Sequence, residues 1–182
     1  FINDTQSASI STVLWDQYAY FSEVAVHQLF SPQRRQALSF FLDEDLPKSF
    51  KHADFTQAQA ETLLRHFSTR ANRRPVAESE IERTMGRLHA LSGSELVKAL
   101  KFEMQTILMS PGFLYRGMRM EKTPGTQQKV DSFELAERLS YFLWEDMPDA
   151  ALFQAAIDGT LSDPDVIAGH VDRMLHSPKA KS

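Results

Sequence analysis

The sequence contains no cysteine. That absence excludes disulfides, thiolate zinc sites and the C-x-x-C-H attachment of c-type haem within this chain. It does not fix a compartment, because a cysteine-free segment suits the cytosol and the periplasm alike. No run of about 18 apolar residues occurs, the length a helix needs to cross a bilayer. A large charge of one sign is also missing. The 24 acidic and 20 basic residues give a net −4, which argues against a dedicated nucleic-acid binder. No stretch shows the strict alternation and β-branched enrichment of a strand, so no sheet is expected. G-x-S-x-G, the P-loop, G-x-G-x-x-G, H-E-x-x-H and the zinc-deaminase signature are all absent. The chain opens at Phe1, in what reads as mid-sequence, and the expectation is a fragment of a longer protein.

What is present is a globular composition. Apolar residues make up 42% and charged residues 24% of 182 positions. A chain of this length buries roughly 70% of its unfolded surface and needs no covalent staples. The apolar spacing is helical almost throughout. From Ser11, apolar residues recur at Leu14, Tyr18, Phe21, Val24, Ala25 and Leu29. Ser31-Pro32 opens a second helix carrying Leu38, Phe41 and Leu42. Residues 43–55 read as a loop. Thr56 caps a third helix with Ala60, Leu63, Leu64, Phe67 and Ala71 inward, which must break before Pro75. A fourth runs from about Glu78 to Leu91, with Ile81, Met85 and Leu88 inward. Ser94 is expected to cap the fifth, which carries Leu96, Val97, Leu100, Met104, Ile107 and Leu108 and ends at Ser110-Pro111-Gly112.

Residues 117–130 have little hydrophobic patterning and form the expected linker. Asp131 then opens a helix, with Glu134 three residues on as a capping box and Leu135, Leu139, Phe142 and Leu143 inward. Pro148-Asp149 starts another, ended by Gly159. Ser162-Asp163-Pro164 starts the last, with Val166, Ile167, Val171, Met174 and Leu175 inward, and Ser177-Pro178 stops it. The expected architecture is all-α, an irregular bundle of about seven or eight helices. Residues 1–116 form an N-terminal helical module, and 131–182 the start of a second, truncated one.

Chemistry is sparse along this pattern. None of the six His forms an i, i+4 pair, and His170 and His176 fall on roughly opposite helix sides, so no metal site is expected. Met85, Met104 and Met174 read as core filler, whereas Met118 and Met120 are the better ligand or contact candidates. Asp43-Glu44-Asp45 and the Asp163, Asp165 pair lack calcium-loop spacing. Glu145, Asp146 and Asp149 surround a tight corner and read as caps. A basic group stands out at Arg65, Arg70, Arg73 and Arg74, with Arg83 and Arg87 following. It reads either as a salt-bridged corner or as an anion or partner-docking site. Phe113, Tyr115, Tyr141, Phe142 and Trp144 are the prominent aromatics, for packing or for docking a neighbouring domain.

Several motifs resemble a known family. Arg70-Ala71-Asn72-Arg73-Arg74-Pro75-Val76 resembles R-A-F-R-R-P-V. Ile107-Leu108-Met109-Ser110-Pro111-Gly112-Phe113-Leu114-Tyr115-Arg116 is similar to I-L-x-S-P-x-F-L-Y-R. Leu135-Ala136-Glu137-Arg138-Leu139-Ser140-Tyr141-Phe142-Leu143-Trp144, followed by Met147-Pro148-Asp149, is similar to L-A-x-R-L-S-Y-F-L-W-x-x-x-P-D. Asp158-Gly159-x-Leu161 and Val171-x-Arg173-Met174-Leu175-x-x-Pro178 complete the series. Together they resemble the planctomycete-type, cytochrome-associated domains of unknown function numbered fifteen-ninety-five and fifteen-ninety-two. The opening residues weakly resemble the tail of fifteen-eighty-seven. The chain departs from the pattern at Asn72, where an aromatic is usual, and at Ala77, where a capping Ser or Thr is usual.

The resemblance implies a large exported protein in which such modules follow a c-type cytochrome domain. It implies a periplasmic or extracellular location, with haem elsewhere in the parent protein and no cofactor in this chain. Expected partners are other domains of that protein, a c-type cytochrome among them, with no nucleic acid. The expected function is a non-catalytic helical module that positions or docks a redox domain or partner. The residues expected to bind the partner or fix the corner are Arg70, Arg73, Arg74, Phe113, Tyr115, Arg116 and Trp144. Two alternatives stay open. One is part of an extracellular oxidoreductase acting on polymers, its site shared with missing domains and lined by residues such as His66, Glu137 or Asp149. The other is a plain assembly scaffold.

Overall fold

A computed structural model describes residues 11–114 and 130–181. The linker 117–130, apart from its last residue, lies outside the described residues, as do Tyr115, Arg116, Met118 and Met120. The described chain is all-α, with nine helices and no strand. It divides into two compact units. One holds residues 11–71 and Val76–Leu114; the other holds Asn72–Pro75 and 130–181.

The first unit contains α1 (Thr12–Leu29), α2 (Arg35–Leu42), α3 (Gln57–Asn72, up to Ala71), α4 (Glu78–Leu88), α5 (Gly93–Leu108) and the single turn α6 (Pro111–Leu114). Its core is aliphatic: Leu63, Leu96, Leu100 and Met104 are fully buried, with Val26, Leu38 and Leu88 packed beside them. Helix starts follow cap chemistry. The Ser11 hydroxyl accepts from the Leu14 N–H at 3.2 Å. Thr56 and Gln59 form a reciprocal box: the Gln59 N–H donates to Thr56 Oγ1 at 3.2 Å, and the Thr56 N–H donates to Gln59 Oε1 at 3.0 Å.

Several local expectations are corrected. Ser31-Pro32 opens a 3-10 turn (Pro32–Arg34) before α2, and the Ser31 hydroxyl donates back to the Gln28 carbonyl instead of capping forward. The expected loop 43–55 contains a second 3-10 turn, His52–Asp54. Ser92, not Ser94, occupies the start of α5. Gly93 begins that helix at φ +52, and a Cβ there would lie 2.9 Å from the Ala53 carbonyl oxygen, so only glycine fits. Ser110-Pro111-Gly112 does not merely end α5 but starts α6, because Pro is pre-set for a first helical position. On α1, Leu14, Tyr18 and Phe21 are exposed, and burial falls instead on Ser22 and Val26.

The second unit contains α7 (Ser132–Trp144), α8 (Ala150–Ile157) and α9 (Pro164–Leu175). Ala136, Trp144, Leu152, Ala156, Leu161 and Met174 form its core. Asp131, Asp149 and Asp163 each cap a helix by accepting a backbone N–H, at 2.8, 2.9 and 2.9 Å. Of the expected inward residues, Leu135, Leu139, Leu143, Val166 and Ile167 pack against this core and Met174 lies in it, but two are corrected. Phe142 is 84% exposed and Leu175 is also exposed, while Glu134, Glu137 and Ser140 are buried. The buried stripe of α7 is thus partly ionic and polar, which hides it from a hydrophobic pattern.

Ala77 stands at the N-cap of α4 with extended dihedrals and no side-chain cap. The replacement Ala77→Ser supplies the missing acceptor for an N–H of the first turn. It should stabilise the first unit by about 1 kcal/mol, seen as a raised urea midpoint at unchanged slope.

Candidate functional site

The arginine group separates into two sets. In the first unit, Arg65 donates to both Glu78 oxygens, at 2.6 and 2.8 Å, and to Glu61 at 3.1 Å. The Glu78 hydrogen bond, then that of Glu61, raises the Arg65 guanidinium above its ordinary value, and Arg65 in turn holds Glu78 below its own. Arg87 is raised in the same way by its fork on Glu103, at 2.7 and 2.9 Å. Arg70 is exposed and lies over the Phe40 ring, 5.6 Å from its centroid. These are exposed helix–helix ties of modest energy.

Arg73 and Arg74 are different. Both belong to the segment Asn72–Pro75 of the second unit. Arg73 is 5% exposed, and its Nε lies 2.9 Å from Glu137 Oε1. Its backbone is left-handed, at φ +56. Glycine is the usual residue for such a position just past a helix end. Here the position holds an arginine whose side chain meets the buried carboxylate. Arg74 reaches Asp131 at 3.5 Å and lies over the Phe133 ring at 5.6 Å. Pro75 keeps the chain from continuing as helix.

Trp144 lies at the centre of the other polar cluster. It is 8% exposed, and its Nε1 donates to the Met174 carbonyl at 2.9 Å. Two cations lie over its ring, Arg173 at 5.7 Å and Lys179 at 5.3 Å from the centroid. Asp149 receives both ends of the Arg173 fork, at 2.6 and 3.1 Å, and Asp146 receives Lys179 at 2.5 Å. Burial pushes the Asp149 carboxyl upward. Arg173, the Leu152 N–H and His170 together outweigh it and hold Asp149 below its ordinary value. Ser140, fully buried, donates to the Asp146 carbonyl at 2.7 Å and fixes the turn between α7 and α8. Phe113 is half-buried in α6.

The histidines are dispersed, four of the six on backbone carbonyls and His170 beside the Arg173 guanidinium at 3.3 Å. His66, His89 and His176 engage the carbonyls of Phe41, Gly86 and Asp172 through Nδ1 at 2.9, 2.7 and 2.8 Å, and His52 engages that of Phe30 through Nε2 at 3.0 Å. Among the described residues no three His, Asp or Glu gather in a metal-binding group. No described helix is long and apolar enough to cross a membrane.

Two clefts open on the first unit. One, of about 300 Å³, is lined by Phe30, Leu38, Leu46, Arg35, Lys48 and Lys51 among others. The adjoining groove shares Arg35 and Leu46 and is lined by Asp43, Glu44 and Asp45. Neither is lined by an expected site residue. The sequence signal for the first cleft was available only as scattered basic residues, Arg35 in the second helix and Lys48 and Lys51 in the stretch read as a loop.

Residues 59–117 match the model of PSD5, a protein of unknown function (DUF1595), and residues 130–182 match that of PSD4, also of unknown function (DUF1592). The two matches lie in tandem along the chain. The matches do not include the third module expected from the opening residues. No curated protein and no solved structure matches the chain. Arg73 and Arg74 lie in the PSD5 match, while Glu137, Asp131 and Trp144 lie in that of PSD4. The PSD4 unit as folded therefore includes four residues that the sequence match assigns to PSD5.

Two predictions concern the PSD4 unit. Arg73→Ala leaves Glu137 buried without its guanidinium and should cost about 3–5 kcal/mol, whereas the paired replacement Arg73→Met with Glu137→Leu should recover most of it. Denaturation followed by Trp144 fluorescence, in a Trp15→Phe background, reads both. The second concerns pH. A carboxyl titrating below its ordinary 3.8 contributes stability that is full above that value. The contribution disappears as pH falls through the lower folded value. Asp149→Asn should therefore be less stable than the parent at neutral pH, and the gap should close at more acid pH, measured by melting across the range.

Proposed function

We propose that these domains are non-catalytic helical modules of an exported, multidomain cytochrome-associated protein, where they position or dock a redox domain or partner. The observation that carries this reading is the N-terminal half of α1. Val13, Trp15, Tyr20 and Phe21 are 66, 45, 63 and 63% exposed, with Leu14 and Tyr18 also exposed. At 100° per residue these positions cover an arc of roughly 220°, wider than the stripe of about 100° that one packed face usually occupies, with Thr12 and Asp16 on the remaining side. Contiguous exposed apolar surface of this kind marks an interaction site.

The polar groups support the same reading. His66, Glu137 and Asp149 are the residues an enzyme site would gather. His66 lies in the first unit on the Phe41 carbonyl, Glu137 is buried against Arg73, and Asp149 caps α8 and holds Arg173. Each has a structural partner, and none lines either cleft. The absence of cysteine means that any c-type haem would belong to the partner.

The test uses Trp15 as reporter. Titration with a c-type cytochrome domain from the same protein should quench its emission saturably, because haem accepts excitation energy from a nearby indole. Phe21→Glu places a charge in the docking face and should weaken the titration at least tenfold, as expected of an aromatic anchor. Quenching that never saturates, or that is equal in the variant, would overturn the docking role of α1.

A further inference from the structure

We infer that the cleft between the start of α2 and the 43–55 segment binds a small apolar molecule carrying one anionic head group, of the aromatic carboxylate type. This goes beyond docking, since the cleft lies apart in sequence from the exposed half of α1 and needs no partner domain.

The cleft has a rigid apolar floor. Phe30, Leu38 and Leu46 line it and are 4, 4 and 7% exposed, so their positions are set by the core of the first unit. Phe30 is held edge-on to the His52 ring at 6.0 Å and against Phe55 at 6.0 Å, and Phe50, which also lines the cleft, packs on Phe55 at 6.1 Å. The 3-10 turn His52–Asp54 fixes one wall, and the His52 contact to the Phe30 carbonyl ties that wall to the floor. Pre-formed apolar surface of this kind lowers the ordering cost of binding.

The charge around that floor is of one sign. Arg35, Lys48, Lys51 and His52 line the cleft, and no acidic residue does, in a chain whose net charge is −4. Elsewhere in this unit two arginines have carboxylate partners, Arg65 on Glu78 and Arg87 on Glu103. Among the described residues Arg35, Lys48 and Lys51 have no ion-pair partner. The nearby carboxylates are otherwise placed. Asp54 accepts the Lys51 backbone N–H at 3.0 Å, Glu44 receives Gln59, and Asp43, Glu44 and Asp45 line the adjoining groove. An anion is thus attracted to one wall and repelled from its neighbour, which orients it.

Size selects the ligand class. At about 300 Å³ the cleft stands at the low end of small-molecule sites, enough for one ring with a short chain. The planar Arg35 fork suits a carboxylate, and the lysines add charge without further geometry.

The test compares 3-phenylpropionate, its neutral amide and acetate by amide chemical-shift titration of the full chain. Phenylpropionate should saturate and shift the amides of Phe30, Ser31, Leu46 and residues 48–52. The neutral amide, which keeps the ring, and acetate, which keeps the charge, should each bind at least tenfold more weakly. The double replacement Lys48→Glu with Lys51→Glu, at exposed positions and so without effect on melting, should lose at least tenfold. No saturable binding of phenylpropionate, equal binding of the neutral amide, shifts confined to other residues, or a folded double variant with undiminished affinity would each overturn the assignment.

Discussion

The PSD4 unit depends on one constraint: a carboxylate placed in its core must meet a cation there. Glu137 lies on the buried stripe of α7, and an isolated ionised carboxylate in that setting would be strongly disfavoured. Arg73 answers it from a segment distant in sequence, at 2.9 Å. The backbone yields to that requirement, since Arg73 adopts the left-handed conformation that glycine takes at little cost. The neighbours follow. Pro75 stops the helix so that the chain can turn, and Arg74 engages Asp131, which caps α7. Cap, buried pair and cation–aromatic contact thereby converge on the first two turns of α7. A buried ion pair is weak as a source of stability but demanding in geometry, so its role here is to fix which segment packs against α7.

That same constraint explains where the sequence was legible and where it was not. Helix existence and most starts could be read directly, because Ser11, Thr56, Asp131, Asp149 and Asp163 cap by local chemistry three residues deep or less. The aliphatic faces of α3 and α5 were equally legible, since Leu63, Leu96 and Leu100 obey the helical period and are buried. The face of α7 was legible only in part, through Leu135, Leu139 and Leu143. Its buried positions include Glu134, Glu137 and Ser140, whereas Phe142 points outward. A hydrophobic pattern assigns burial by residue type, and here burial is decided by partners that lie far away in sequence.

The functional groups divide in the same way. The arginine run attracted attention as one cluster, yet its members serve separate purposes. Arg65 and Arg87 tie exposed helices in one unit, and Arg73 is buried in the other. Trp144, an expected docking or packing residue, lies in the core with its indole N–H on the Met174 carbonyl. The cationic cleft, by contrast, was invisible as a motif. Its apolar floor comes from the end of α1, from α2 and from Leu46, and its charges from Arg35 at the start of α2 and from a stretch without periodicity. No spacing rule joins residues that only the turns at Pro32–Arg34 and His52–Asp54 bring together.

The two surfaces of the first unit also differ in what could satisfy them. The exposed half of α1 presents large aromatic side chains without a matching set of charges, over an arc wider than one packed face. On the docking reading proposed for it, an extended protein surface covers that arc, which is too long and too broad for a small molecule. The cleft at Phe30 presents the opposite problem. Its apolar area is already recessed, and what stands unmatched is positive charge. A protein surface could neutralise that charge only by inserting a projecting acidic group, whereas a small amphipathic anion fills the recess and the charge deficit together. The two proposals thus rest on different physical grounds, breadth of apolar surface for one and unmatched charge around a recess for the other.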